Sequence, residues 1–143
     1  MLGSFLTWMQ ERKASVFVAA TANDIGSLPP EFLRKGRFNE IFFVDLPDAS
    51  EREAILRIHL NIRRQNPASF DLGSVAAAAD GFSGAEIEQA VIASLYRALH
   101  AKTPLTAAML IDEIRQTVPL SVSRREDIER LRNTARGRFV PVR

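Results

Sequence analysis

Three side chains in this sequence have the type and spacing for work on a phosphoryl group. Asn23 ends the apolar run Val16-Phe17-Val18-Ala19-Ala20-Thr21-Ala22, and Arg34 and Arg37 bracket Lys35-Gly36 a short way downstream. An amide at the tip of a buried strand offers a donor and an acceptor without adding charge, which suits it to hold an attacking water or a terminal phosphate oxygen. A guanidinium presents a fixed fork of donors to charge developing on a phosphoryl group, an effect of roughly 10³–10⁵ in rate when a neighbouring chain supplies it. Plainer roles are open to the same residues. An Asn-Asp pair suits a turn, and surface arginines bonded to Glu31 or Glu40 would contribute at most about 1 kcal/mol. The sequence has no G-x-x-x-x-G-K-[ST] loop and no apolar strand ending in Asp-Glu, so the residues that ordinarily hold phosphate and magnesium are not in it.

The elements that must position these residues can be read from periodicity. Leu2, Phe5, Leu6 and Met9 recur at helical spacing and predict a short opening helix that ends near Glu11 and has its true start upstream. Residues 16–20 and 41–44 are continuous apolar runs and read as strands buried on both faces, as in a parallel α/β sheet. Between them, Leu28-Pro29-Pro30 opens a short helical turn that Lys35-Gly36 breaks. From Pro47 onward the pattern is wholly helical, and the domain boundary is placed there. Ser50-Glu51-Arg52-Glu53 has capping-box form and leads into a helix with Ile55, Ile58 and Ile62 on one face. An Ala-rich helix after Asp71 ends at Asp80-Gly81. Ser83-Gly84-Ala85-Glu86 is a second capping box, leading into Ile87, Val91, Leu95 and Leu99 with the small residues Ala90 and Ala98. Met109, Leu110 and Ile114 mark a fourth helix, stopped by Val118-Pro119, and Ser123-Arg124-Arg125-Glu126 caps a last one carrying Ile128 and Leu131. The fold class expected is mostly α with a partial α/β layer.

Taken in order, Asn23, Arg34 and Arg37, the run 41–44 closed by Asp45-Leu46-Pro47, and Gly81-Phe82-Ser83-Gly84-Ala85-Glu86-Ile87 resemble the C-terminal part of the AAA family of ATPases. The resemblance implies a division into residues 1–46, the end of a P-loop ATPase core, and residues 47–143, a helical lid. It also implies roles: Asn23 as the sensor beside the nucleotide, Arg34 and Arg37 as fingers reaching a neighbouring subunit's nucleotide, and Gly84 and Ala85 as lid contacts to adenine and ribose. His59, in the first lid helix, would approach the ribose, although a lone helix histidine also serves as a plain packed or exposed residue. ATP and Mg²⁺ would be the cofactors of an intact, ring-forming parent, and neither is expected to bind tightly to this chain. Ala22, Pro29, Lys35 and Asn39 depart from the family's usual residues and suggest a divergent branch. The wording Phe5-Leu6-Thr7-Trp8-Met9-Gln10-Glu11 is most similar to AAA-type ATPases of cyanobacteria and plastids.

Composition limits the alternatives. The 143 residues fit one ordinary domain, or a small domain and a piece of another. Hydrophobic and charged fractions of 46% and 25% are globular proportions, with no run of about eighteen apolar residues to span a bilayer. There is no cysteine for a disulfide framework, and the first residues lack the pattern of a secretory signal. A cytoplasmic location is expected, or the plastid stroma for a plastid protein. The net charge is only +2; the arginines of residues 124–143 are interleaved with Glu126, Asp127 and Glu129, a solvated-face pattern that argues against nucleic acid as the partner.

In the fold implied, the two strands flank a strand that this sequence does not contain. Both would have unpaired edges, so residues 1–46 are expected to rearrange, swap or mediate self-association. Two other readings stand beside an ATPase segment that couples hydrolysis to macromolecular remodelling. One is a non-enzymatic interaction module or truncated regulatory subunit, and the other is a helical nucleic-acid binder that uses the basic terminus.

Overall fold

The computed structural model describes residues 2–142 apart from 12–14, Asn23 and Lys35, and leaves the side chains of Leu2 and Gln10 undescribed. The chain divides into two compact units, Asp45–Ile128 and a second made of Met1–Val44 with Glu129–Arg143.

The Asp45–Ile128 unit is built from helices α2 (Ala49–Ile62), α3 (Leu72–Ala78), α4 (Gly84–Ala101), α5 (Ala107–Gln116) and the short α6 (Leu120–Ser123), and contains the start of α7 (Arg125–Ala135). A capping box starts α2, but two positions earlier than the sequence suggests. Asp48 Oδ1 accepts from Glu51 N at 2.9 Å and Glu51 Oε2 accepts from Asp48 N at 2.8 Å. Ser50 lies inside the helix, and its hydroxyl donates to Asp48 Oδ1 at 2.9 Å. Asp is at least as good a cap as Ser, and the earlier start adds helical backbone bonds. The buried stripe also differs from the expected one: Arg52, Leu56 and Leu60 are buried, whereas Ile58 and Ile62 are 54% and 67% exposed. Both series fit helical spacing, and the one that meets α3 and α4 wins.

The second capping box is as expected. Ser83 and Glu86 satisfy each other's backbone amides, and Ile87, Ala90, Val91 and Ala98 are buried while Leu99 is exposed. Gly81, at φ +77° before α4, lets the chain turn where a Cβ would meet Ser121 Oγ at 2.5 Å. Thr106 caps α5, which buries Leu110 and Ile114. A single core joins Leu56, Leu60, Val75, Phe82, Ile87, Val91, Leu110 and Ile114. Ser123 does not cap α7; it closes α6, donating its hydroxyl to Pro119 O at 3.3 Å.

In the other unit, α1 (Leu2–Glu11) forms as expected and stacks Phe5 on Phe32 of the 3-10 turn Pro30–Leu33, with ring centroids 6.3 Å apart. The expected strand over residues 16–20 is not one: these residues have no regular structure, and Phe17 is 93% exposed. A strand buried on both faces needs a ladder on each edge, and among the described residues this run forms no strand ladder. Strand β1 is only Phe42–Phe43, and its pairing is unexpected. The tail returns as β2 (Val140–Pro141), parallel to it, with Val140 N donating to Ile41 O at 2.9 Å and Val142 N donating to Phe43 O at 3.1 Å. The edge expected to be unpaired thus has a partner on one side, supplied by two valines of a segment that had read as part of the helical region.

Candidate functional site

The first turn of α4 is set by its cap. Glu86 Oε2 accepts from Ser83 N at 2.8 Å and from the Ser83 hydroxyl at 2.7 Å, while Glu86 Oε1 accepts from Leu120 N at 2.8 Å, so one carboxylate serves the starts of α4 and α6. Within this turn Ala85 is exposed and Gly84 half-buried. A Cβ on Gly84 would meet only Ile55 Cδ1, at an ordinary 3.6 Å. Packing therefore does not require glycine here, and its other use, to let a ligand approach the backbone, is open.

One turn beyond Gly84 on the same face, Glu88 reaches α2. Arg63 Nη2 donates to Glu88 Oε1 at 2.8 Å, and Arg63 Nη1 lies 3.2 Å from His59 Nδ1 and 3.1 Å from His59 O. His59 Nδ1 is also 3.5 Å from Glu88 Oε1. The arginine's hydrogen bond, opposed by partial burial, holds the Glu88 carboxyl below the ordinary glutamate range. The structure thus brings His59 to the same helix junction as Gly84 and Ala85.

The arginine pair lies in the other unit. Arg34 is exposed and ends the 3-10 turn, its N–H donating to Glu31 O at 3.4 Å; Arg37 N donates to Arg34 O at 3.3 Å. Gly36 between them has φ +93°. Arg37 is half-buried, and its Nη1 is shielded from water with no hydrogen-bond partner among the described residues. Neither arginine pairs with Glu31 or Glu40 among those residues. Asn23 lies outside the described residues. Beside it, Asp24 accepts from the Ser27 hydroxyl and from Ser27 N, and these bonds hold its carboxyl below the ordinary range.

Sequence reasoning singled out neither Arg63 nor Glu88, although Arg63 falls four residues after His59 and so shares its face. It also missed Arg52, which is buried with Nε donating to Ala76 O and Nη1 to Pro47 O, each at 2.9 Å, and Nη2 lying 3.2 Å from Asp80 Oδ1. Its place one turn before Leu56 and two before Leu60 was the available signal. No group of metal-ligating side chains occurs among the described residues, and no helix there is long and apolar enough to cross a membrane.

A glycine-opened helix start with a histidine beside it, and an arginine loop with an unsatisfied guanidinium, are the features of this chain that comparison with known proteins must account for. Residues 1–46 match the family model described as ATPase family associated with various cellular activities (AAA), and the chain belongs to that family. Over 136 residues it is 42% identical to the uncharacterized AAA domain-containing protein ycf46 of Guillardia theta, a match covering 94% of this chain and 27% of that protein. To the ycf46 protein of Pyropia yezoensis it is 46% identical over 132 residues, covering 92% of this chain and 27% of that protein. The ATP-dependent zinc metalloprotease FtsH of Mycoplasmopsis synoviae is 35% identical over 105 residues, covering 73% of this chain and 16% of that protein. The chain therefore spans about a quarter, 27%, of the length of the ycf46 relatives. No solved structure matches.

Proposed function

We propose that this chain is the sensor, arginine-loop and lid segment of a ring-forming AAA ATPase that couples ATP hydrolysis to the remodelling of another macromolecule. Residues 1–46 belong to the ATPase core and the helical region within 47–143 to its lid. Asn23 orients the attacking water, Arg34 and Arg37 face the nucleotide of the adjoining subunit, and His59, Gly84 and Ala85 contact the nucleoside. When bound with Mg²⁺ in the longer protein, ATP supplies the phosphoanhydride that is cleaved, and the phosphate-loop residues that would hold it lie in sequence this chain does not contain. Residues 1–46 also mediate self-association, since the partners of the core sheet are missing. The location is the cytoplasm, or the stroma where the gene is plastid-borne.

The observation that carries this reading is Arg37. A buried donor without an acceptor costs about 1–3 kcal/mol, and a native protein keeps such a group where something else supplies the acceptor. A phosphate oxygen bound to a second subunit is an acceptor of the right charge for a guanidinium in the family-matched segment. ATP turnover by the purified 143-residue chain tests the reading at its simplest. None is expected from the chain alone, and turnover is expected once the chain is joined to upstream sequence bearing a phosphate loop. Turnover by the chain alone that vanishes in Asn23→Ala or Arg37→Ala would overturn the reading.

A further inference from the structure

The contacts of His59 contain information about its protonation that a nucleotide role does not require. Arginine has five N–H donors and no acceptor, and it does not lose its proton in proteins. The 3.2 Å approach of Arg63 Nη1 to His59 Nδ1 is therefore a hydrogen bond only if Nδ1 carries a lone pair. The imidazole is then neutral, with its proton on Nε2. Arg63 is itself held in place, with Nη2 on Glu88 Oε1 at 2.8 Å and Nη1 also on His59 O at 3.1 Å. With 18% of its side chain exposed, against 19% for His59, it has little freedom to swing away.

We propose that Arg63, anchored across the helix junction by Glu88, is a positioning residue that fixes His59 as the neutral Nε2–H tautomer. Nε2–H is then the only remaining donor of the ring, and among the described residues it has no partner. His59 thereby faces its ligand as a hydrogen-bond donor and takes an acceptor oxygen. In the nucleotide-lid reading, on which this last step rests, that oxygen belongs to the nucleoside sugar. Glu88 acts at one remove: by occupying Nη2 it leaves Nη1 aimed at the histidine. The alternative arrangement, with a proton on Nδ1 donated across 3.5 Å to Glu88, would set an N–H against the Arg63 guanidinium.

The chain has two histidines, and His100, exposed near the end of α4, has a ring with no hydrogen bond among the described residues, so it serves as an internal reference. The test is long-range ¹H–¹⁵N correlation of the imidazole rings in the 143-residue chain at about pH 8.5, some two units above the ordinary histidine pKa of about 6.5. The expected result is a single tautomer for His59, with Nδ1 in the unprotonated range and Nε2 in the protonated range, while His100 shows the averaged shifts of a free imidazole. In Arg63→Met, His59 should lose the single Nε2–H tautomer and shift toward protonated Nδ1, with Glu88 as its acceptor. A protonated Nδ1 on His59 or an averaged pattern in the unsubstituted chain, or a tautomer unchanged by Arg63→Met, would overturn the proposal. If Arg63→Met does not fold, the unsubstituted spectrum still decides between the first two outcomes and the expected one. The nucleotide reading is tested separately, by the KM for ATP of the longer protein with His59→Ala. An unchanged KM would count against a sugar contact and leave the tautomer assignment standing.

Discussion

Arg52 shows how one charged side chain can fix the geometry of a helical unit. Its guanidinium is buried, and two of its three contacts are backbone carbonyls: Pro47 O, just before α2, and Ala76 O, in α3. The third contact, Asp80, is 85% exposed on its side chain, so that ion pair is screened and contributes little. Arg52→Met keeps much of the packing but leaves both carbonyls without their donors, and should lower the stability of the helical unit by about 2–4 kcal/mol. Asp80→Ala should cost under about 1 kcal/mol. Urea denaturation of the two variants separates a carbonyl clamp from a salt bridge, since equal losses would assign the effect to the ion pair. At this scale the sequence was only partly legible. The capped start of α4 after Ser83 was readable from its local pattern, whereas Arg63, Glu88 and Arg52 gain their meaning from partners 24 or 25 positions away in the chain, which no local pattern displays.

Elements were more legible than the faces they bury. Pro29-Pro30, Val118-Pro119, the Asp80-Gly81 break and the Ser83 capping box marked helical boundaries where they occur, because caps and breakers act within one turn. The buried stripe of α2 was misread because two apolar series run along it, and only contact with α3 and α4 selects between them. Leu56→Ala should therefore cost about 2–5 kcal/mol, while Ile58→Ala should change stability by no more than about 0.5 kcal/mol. Similar costs for the two would mean that the helix is rotated from the orientation described. The caps also predict an acid limb. Glu51 N–H and the Ser50 hydroxyl depress the carboxyl of Asp48, and the Ser74 hydroxyl and N–H depress that of Asp71. A group with a depressed folded pKa adds stability that is complete above its unfolded value of about 3.9 and is lost as pH falls through the folded value. Denaturation midpoints measured from pH 6 down to 3 should fall toward the acid end. Asp71→Asn, which keeps a capping oxygen and cannot titrate, should flatten that fall. An unaltered slope would remove Asp71 from the account.

The whole molecule departs most from its sequence reading where the chain lacks neighbours. Residues 16–20 have the composition of a buried strand but form no strand ladder among the described residues, and Phe17 stands exposed. β1 is short, and the tail strand Val140–Pro141 supplies its partner. Composition could not foresee this, because pairing depends on which edge is left open once the rest of the chain has folded. The helical unit contains its own core and is the more completely determined half.

The central claim is that this segment supplies lid and arginines to nucleotides held elsewhere in a ring, and subunit mixing in the longer protein tests it most directly. Arg37→Ala subunits should lose ATP turnover by about 10³-fold or more, as should subunits whose phosphate-loop lysine is replaced. Mixing the two should restore turnover, because each intact phosphate loop can then adjoin an intact Arg37 on its neighbour. Near-normal turnover by Arg37→Ala alone, or a mixture as inactive as its components, would contradict the account.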